Sequence, residues 1–174
     1  GPTGTVPIHR ALPDLVKPLA RRGNVLVLVL DGLSWAVARA LLASEPMQHW
    51  HMWLPAHDGR PLAVLAAIPT MTYLSRTALL TGKQGAGKQA DEVRGFAAMF
   101  GNGATLLHRR SLEENTAEVL GAVGDPKVKV VGVVLNAVDE ALDGALQIAV
   151  QWNPTSIRHL LPLLSAASAA HRTV

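Results

Sequence analysis

The sequence predicts an α/β fold in which a mostly parallel sheet carries helices on both faces. Apolar runs rich in β-branched residues recur along the chain, each of them ends at a polar or turn-forming residue, and segments with helical spacing separate them. Continuous apolar strands are typical of parallel sheets that are buried on both faces. The alternation of such strands with helices favours right-handed βαβ units.

The first predicted strand covers residues 25–30, a run of apolar residues that ends at Asp31-Gly32. Ser34 follows, and its hydroxyl can cap a helix over Trp35–Leu42. No uninterrupted apolar run in the sequence approaches the length of a membrane span. We therefore expect this strand to lie inside a globular sheet.

The same succession of elements continues to the end of the chain. The further predicted elements are strands at 62–68, 104–108 and 127–135 and helices at 74–80, 112–120 and 155–170, the last interrupted by Pro162. Residues 1–23 are expected to form a lead-in segment, irregular apart from a short amphipathic piece at 15–21, and residues 24–174 the α/β domain. Because another strand is expected where the chain ends, we expect the domain to be truncated at its C-terminus.

Composition limits the kinds of function that the chain can have. Its 174 residues are 49% hydrophobic and 17% charged, which is enough apolar material for one domain with a core. The formal charge of +3 weakly favours anionic partners, but it is not the basic stripe of a dedicated nucleic-acid binder. The absence of cysteine excludes disulfides and thiolate zinc sites, so any metal must be held by oxygen and imidazole. No signal peptide is evident, and we expect a cytoplasmic protein.

Three groups of polar residues follow predicted strands, where the sites of open α/β sheets form. They are Asp31 with Gly32; Thr70, Thr72, Ser75 and Arg76 after Pro69; and Asn136, Asp139, Glu140 and Asp143. Carboxylates at strand ends can bind a divalent cation together, and Asp139 and Asp143 would share one face of a helix. A hydroxyl at a helix start, such as that of Thr72, lies near free backbone N–H groups that suit a phosphate.

Each group also has a structural interpretation. Asp31-Gly32 can be a simple turn, Thr72 can be a helix cap, and the acidic residues after Asn136 can be a solvated helix face. The functional interpretation depends on whether all three groups lie at one edge of the sheet. The sequence therefore predicts that Asp31, Thr72 and Asp139 are close together there.

Five segments resemble PglZ domains, which belong to the alkaline phosphatase superfamily and occur in bacterial phage-defence systems of the phage-growth-limitation and BREX kind. They are residues 27–33 (Val-Leu-Val-Leu-Asp-Gly-Leu), 68–76 (Ile-Pro-Thr-Met-Thr-Tyr-Leu-Ser-Arg), 79–82 (Leu-Leu-Thr-Gly), 89–92 (Gln-Ala-Asp-Glu) and 135–139 (Leu-Asn-Ala-Val-Asp). The resemblance implies an alkaline phosphatase-like fold. It also implies a phosphatase, phosphodiesterase or nuclease with two divalent cations, often zinc, and a Ser or Thr nucleophile.

The resemblance also implies roles for individual residues. Asp31 corresponds to a ligand of one metal, and Thr72 to the nucleophile that contacts the same metal, with Thr70 as the second candidate. Asp139 corresponds to a ligand of the other metal, and Asp143 takes the place where many relatives carry a histidine. Two further positions, Arg76 and Asn136, are candidates to face the phosphate.

The resemblance also identifies what this chain lacks. The family has an Asp-His pair just after the next strand and a further histidine later, and neither occurs in these 174 residues. Each metal site would therefore be incomplete, and we expect this fragment to be inactive. The expected partners are a phosphate ester, which can be a nucleotide or nucleic acid, and other phage-defence proteins, with no membrane.

Three alternatives remain open. The domain can be a non-catalytic interaction or scaffolding module of a defence complex. Residues 82–88 partly match a P-loop, but the next residue is Gln89 rather than Ser or Thr, and a helix rather than a strand is predicted before them. The histidines at 49, 51 and 57 can be metal ligands, although loop histidines that pack on tryptophan are the simpler interpretation.

Overall fold

The computed structural model describes residues 5–51, 62–136 and 154–174. Its strands are β1 (Thr5–Pro7), β2 (Val25–Asp31), β3 (Ala63–Leu65), β4 (Ala104–His108) and β5 (Val130–Asn136). Its α-helices are α1 (Ile8–Ala11), α2 (Lys17–Arg22), α3 (Trp35–Leu42), α4 (Thr72–Thr81), α5 (Gln89–Phe100), α6 (Arg109–Glu114), α7 (Thr116–Gly124) and α8 (Leu160–Ala169). A π-helical turn (Leu12–Val16) and two 3₁₀ turns (Glu45–Met47 and Pro154–Ser156) complete the described elements.

The central sheet has the strand order β2-β5-β4, and all of its pairs are parallel. In register, Val25 pairs with Val130 and Asp31 with Asn136. β1 and β3 form a separate parallel pair. A parallel bridge joins Val25 to Thr173, so the end of the chain lies beside β2. The sequence predicts that a further strand begins at this end of the chain.

Side chains alternate between the two faces of the sheet and build two cores. On one face, Leu26 and Val133 pack in a cluster with residues of α3, α6, α7 and α8. On the other, Val27 and Val134 pack with Leu80 of α4 and with Phe96 and other residues. Helices therefore cover both faces, and the predicted α/β class is confirmed.

Two close approaches fix α4 and α5 on their face of the sheet. A Cβ at Gly132 of β5 would lie 2.8 Å from the Phe96 ring, so only glycine lets that ring reach the strand. A Cβ at Gly95 of α5 would lie 2.6 Å from Cγ2 of Thr81, so the two helices touch there. α4 then ends at Gly82, which adopts the left-handed conformation with φ 69°.

Several elements differ from the sequence predictions. The predicted strand at 62–68 is reduced to β3 and pairs with β1 outside the central sheet. The predicted helix at 112–120 is part of two helices that divide at Asn115, and the final helix starts at Leu160, with Pro162 in its first turn, where proline is tolerated. Residues 5–22 form β1, α1, the π turn and α2 rather than an irregular segment, and α5 was not predicted. Within the described ranges, no helix is long and apolar enough to span a membrane.

Candidate functional site

Three polar residues end the three strands of the central sheet. Asp31 ends β2, Asn136 ends β5 beside it in register, and His108 ends β4 opposite Val134. Because side chains alternate along a strand, all three residues belong to the face on which α4 and α5 pack. The carboxyl edge of the sheet is therefore polar on this one face.

Arg76 of α4 reaches this edge. Its Nη1 donates a hydrogen bond of 3.1 Å to Oδ2 of Asp31, and both side chains are only partly exposed. Asp31 and Arg76 are thus in direct contact, although they lie 45 residues apart in the sequence and belong to two different candidate groups.

Glu92 of α5 lies on the other side of the guanidinium and is fully buried. Its Oε1 accepts hydrogen bonds from Nε of Arg76 at 3.1 Å and from Oγ1 of Thr77 at 3.0 Å. Burial by itself lowers the pKa of Arg76, but Glu92 and Asp31 outweigh it, and the net effect is a raised pKa. The arginine is therefore a cation held between two carboxylates.

His108 completes the group. Its side chain is buried, and its Nε2 lies 3.4 Å from Oε2 of Glu92 without a hydrogen-bond partner among the described residues. Burial lowers the pKa of His108, and nearby Arg76 adds to this effect, while Glu92 opposes it. We refer to Asp31, Arg76, Thr77, Glu92 and His108 as the edge cluster. With a neutral histidine, the edge cluster carries one net negative charge.

The other predicted site residues lie as follows. Thr72 is the first residue of α4, exposed, and one helical turn before Arg76; the N-cap position belongs to Met71. Thr70 is exposed in the preceding loop, and Asn136 stands beside Asp31. The two remaining candidates, Asp139 and Asp143, lie outside the described residues.

Sequence reasoning did not identify Glu92, Thr77 or His108 as site residues. Glu92 belongs to the 89–92 segment that carries the resemblance, but nothing in the sequence indicates that it is buried. His108 follows the rule that singled out Asp31, because it ends a predicted strand at the same edge. Applying that rule to every strand would have found it.

The described part of the chain does not by itself form a metal site. It contains no group of three or more His, Asp or Glu side chains that could hold an ion. Asp31 instead contacts the guanidinium of Arg76. The expected ligand set therefore depends on residues outside the described ranges.

The two other candidate sites receive no support. His49 and His51 are exposed and join no metal-binding group among the described residues, and His57 lies outside them. The segment 82–88 follows helix α4 instead of a strand, which is not the P-loop arrangement. Residues 82–86 of this segment line a cleft of about 740 Å³ together with residues that include Lys17 and Arg94.

The fold and the edge cluster define an α/β protein with a partly buried charged site at the carboxyl edge of a parallel sheet. No protein-family model matches the chain, and a search of curated proteins gave no significant match. Its function must therefore be inferred from the geometry of the edge cluster and from the resemblance of the five segments.

Proposed function

We propose that this chain is the N-terminal part of a PglZ-type, alkaline phosphatase-like domain that carries out metal-dependent phosphoryl transfer in a cytoplasmic bacterial phage-defence protein. One observation carries the proposal. Three segments that resemble PglZ domains, distant in sequence, contribute Asp31, Arg76 and Glu92 to one hydrogen-bonded group. A fourth segment contributes Asn136 beside Asp31. Isolated turns and helix caps would have no reason to meet in this way.

In this proposal Thr72, Arg76 and Asp31 have different roles at the edge of the sheet. Thr72 is the nucleophile, because it is exposed at the start of α4 and one turn from Arg76. The first backbone N–H groups of an α-helix have no partner within the helix, which suits a phosphate. Arg76 contacts phosphoryl oxygens, for which a planar guanidinium is well suited. Asp31 is a ligand of one of two divalent cations, which we propose to be zinc. Such cations would polarise the phosphoryl group and activate the nucleophile.

The remaining ligands would come from elsewhere in the protein. Asp139 and Asp143 are the candidates for the second metal, and the family's Asp-His pair and later histidine would follow Val174. A catalytic zinc site normally has three protein ligands, so this chain alone is expected to be inactive.

The test is hydrolysis of p-nitrophenyl phosphate and its bis ester with added zinc or manganese. This chain should show no turnover, whereas a longer natural chain that includes the expected Asp-His pair should be active. Thr72→Ala should abolish that activity, Thr72→Ser should retain part of it, and Thr70→Ala serves as the matched control. Turnover by the short chain that depends on metal and on Thr72 would show that the proposed ligand set is wrong.

A second candidate function is a non-catalytic interaction module of a defence complex. Its support is a run of exposed apolar side chains from β3 to the first turn of α4: Val64, Leu65, Ile68, Met71 and Tyr73. Ile68 is 94% exposed, which is unusual for an isoleucine in a monomeric protein. Turnover by neither chain would favour this function.

A further inference from the structure

The guanidinium of Arg76 is held by carboxylates on two sides. Nε donates to both oxygens of Glu92, at 3.1 and 3.4 Å, while Nη1 donates to Asp31. Within the described residues, no hydrogen bond of Nη2 occurs. Since Glu92 is buried and Asp31 ends β2, Nε points into the protein and Nη1 lies at the carboxyl edge of the sheet.

Glu92 is itself fixed in position. Thr77 donates to the same oxygen as Arg76 does, and the contact of Gly95 with Thr81 sets the spacing of α4 and α5. A buried ion pair adds little stability compared with well-packed apolar residues of similar volume, because both charges lose their hydration. What the pair adds here is a defined orientation of the guanidinium.

We propose that Glu92 is the positioning residue of the site: it anchors Nε of Arg76 so that Nη2 and the second N–H of Nη1, which Asp31 does not use, face a non-bridging oxygen of the substrate phosphate. This inference rests on the proposed function for the substrate, but the anchoring of Arg76 can be measured without turnover. Glu92 does not touch the substrate, and it acts through Arg76 alone.

The charge of Glu92 makes the inference testable, because charge and position have opposite effects. By charge alone, Glu92 repels a phosphate, so Glu92→Gln should strengthen anion binding. If Glu92 positions Arg76, the same variant should weaken binding, because an amide is a poorer partner for a guanidinium than a carboxylate is. We expect affinity for inorganic phosphate to fall by about tenfold, the effect of losing one charge-assisted hydrogen bond.

The first experiment is ¹⁵N NMR of the 174-residue chain. The Nε–H of Arg76, identified by its loss in Arg76→Lys, should exchange slowly with water and should shift on titration with inorganic phosphate. Both properties should be lost or weakened in Glu92→Gln. They should be kept in Thr77→Val, which removes a hydrogen bond to the same carboxylate but leaves its contact with Arg76.

The second experiment compares substrates in the longer, active chain. Glu92→Gln should lower kcat/KM for p-nitrophenyl phosphate, a dianion, by more than it does for the bis ester, a monoanion. Thr77→Val should affect both substrates equally and weakly.

The outcomes separate the inference from the proposed function. Phosphate binding that depends on Glu92, without turnover by any chain, would support the inference and contradict the proposed function. Turnover by the longer chain together with phosphate binding that is unchanged or stronger in Glu92→Gln would overturn the inference and leave the function standing. An unprotected Nε–H of Arg76, or no phosphate binding to the short chain, would also overturn it.

Discussion

Replacing Arg76 by methionine should destabilise the folded chain, because it removes one partner of a buried ion pair. The variant leaves Glu92 buried, with only Thr77 donating to it. Removing one partner of a buried ion pair typically costs about 3–5 kcal/mol of unfolding free energy. Because the Arg76 side chain is 24% exposed, water can reach part of the site, and we expect the lower end, about 3 kcal/mol at pH 7.

Protonation of Glu92 sets an upper limit on this cost. A glutamate in water gives up its proton near pH 4.3, so neutralising one costs about 3.7 kcal/mol at pH 7 and about 1 kcal/mol at pH 5. The variant can always escape the buried charge by taking up a proton. The destabilisation by Arg76→Met should therefore shrink to about 1 kcal/mol at pH 5.

Urea unfolding at the two pH values measures both quantities, and thermal unfolding at pH 7 should show a loss of about 6–12 °C. The matched variant is Arg76→Met with Glu92→Leu, which replaces the pair by apolar side chains and should lie within about 1 kcal/mol of the wild type. A single variant within about 1 kcal/mol of the wild type at pH 7, or a loss that is the same at pH 5, would refute the reasoning.

Three further predictions concern His108, Gly132 and the segment 82–88. Burial lowers the pKa of His108, so the folded chain resists protonation of this histidine. The free energy of unfolding should therefore fall as the pH drops below about 6.5. His108→Gln should flatten this slope in urea titrations at several pH values. Gly132→Ala should lower the free energy of unfolding by about 1–3 kcal/mol in the same assay, because its methyl group would meet Phe96. Gly121→Ala, with open space around it, should be neutral or stabilising. Equal effects of the two substitutions would contradict this prediction. Labelled ATP with magnesium should show no saturable binding, and a micromolar affinity abolished by Lys88→Ala would revive the P-loop interpretation.

The elements that sequence alone predicted well are those whose signal is local. β2 and β5 are continuous apolar runs, and α3 begins directly after a serine whose side chain accepts a hydrogen bond from Val37. The predicted strand at 62–68 is longer than β3, which pairs over only three residues with β1. β1 lies in a segment that the sequence does not identify as a strand. α5 was missed although it is 12 residues long, and its central Gly95, which disfavours a helix locally, is needed for contact with Thr81.

The same difference between local signals and tertiary contacts explains which residues of the edge cluster the sequence could predict. Asp31 could be found because it ends an apolar strand, which is a property of a few neighbouring residues. Glu92 could not, because an Asp-Glu pair near a helix start is usually solvated, and its burial depends on how α5 lies over the sheet. The contact between Arg76 and Asp31 is also tertiary, since it joins residues on a helix and a strand.

The contact between Arg76 and Asp31 is compatible with the proposed cation at the same carboxylate. Arg76 uses only Oδ2, and no hydrogen bond to Oδ1 occurs within the described residues. A carboxylate can bind an arginine through one oxygen and a cation through the other, and the net negative charge of the edge cluster favours the added positive charge. If Asp31 served only to neutralise Arg76, Glu92 would make it redundant, because one guanidinium needs one counter-charge. Two carboxylates around a single arginine leave one of them available for a second cation, and Asp31, at the end of β2 and partly exposed, is the accessible one.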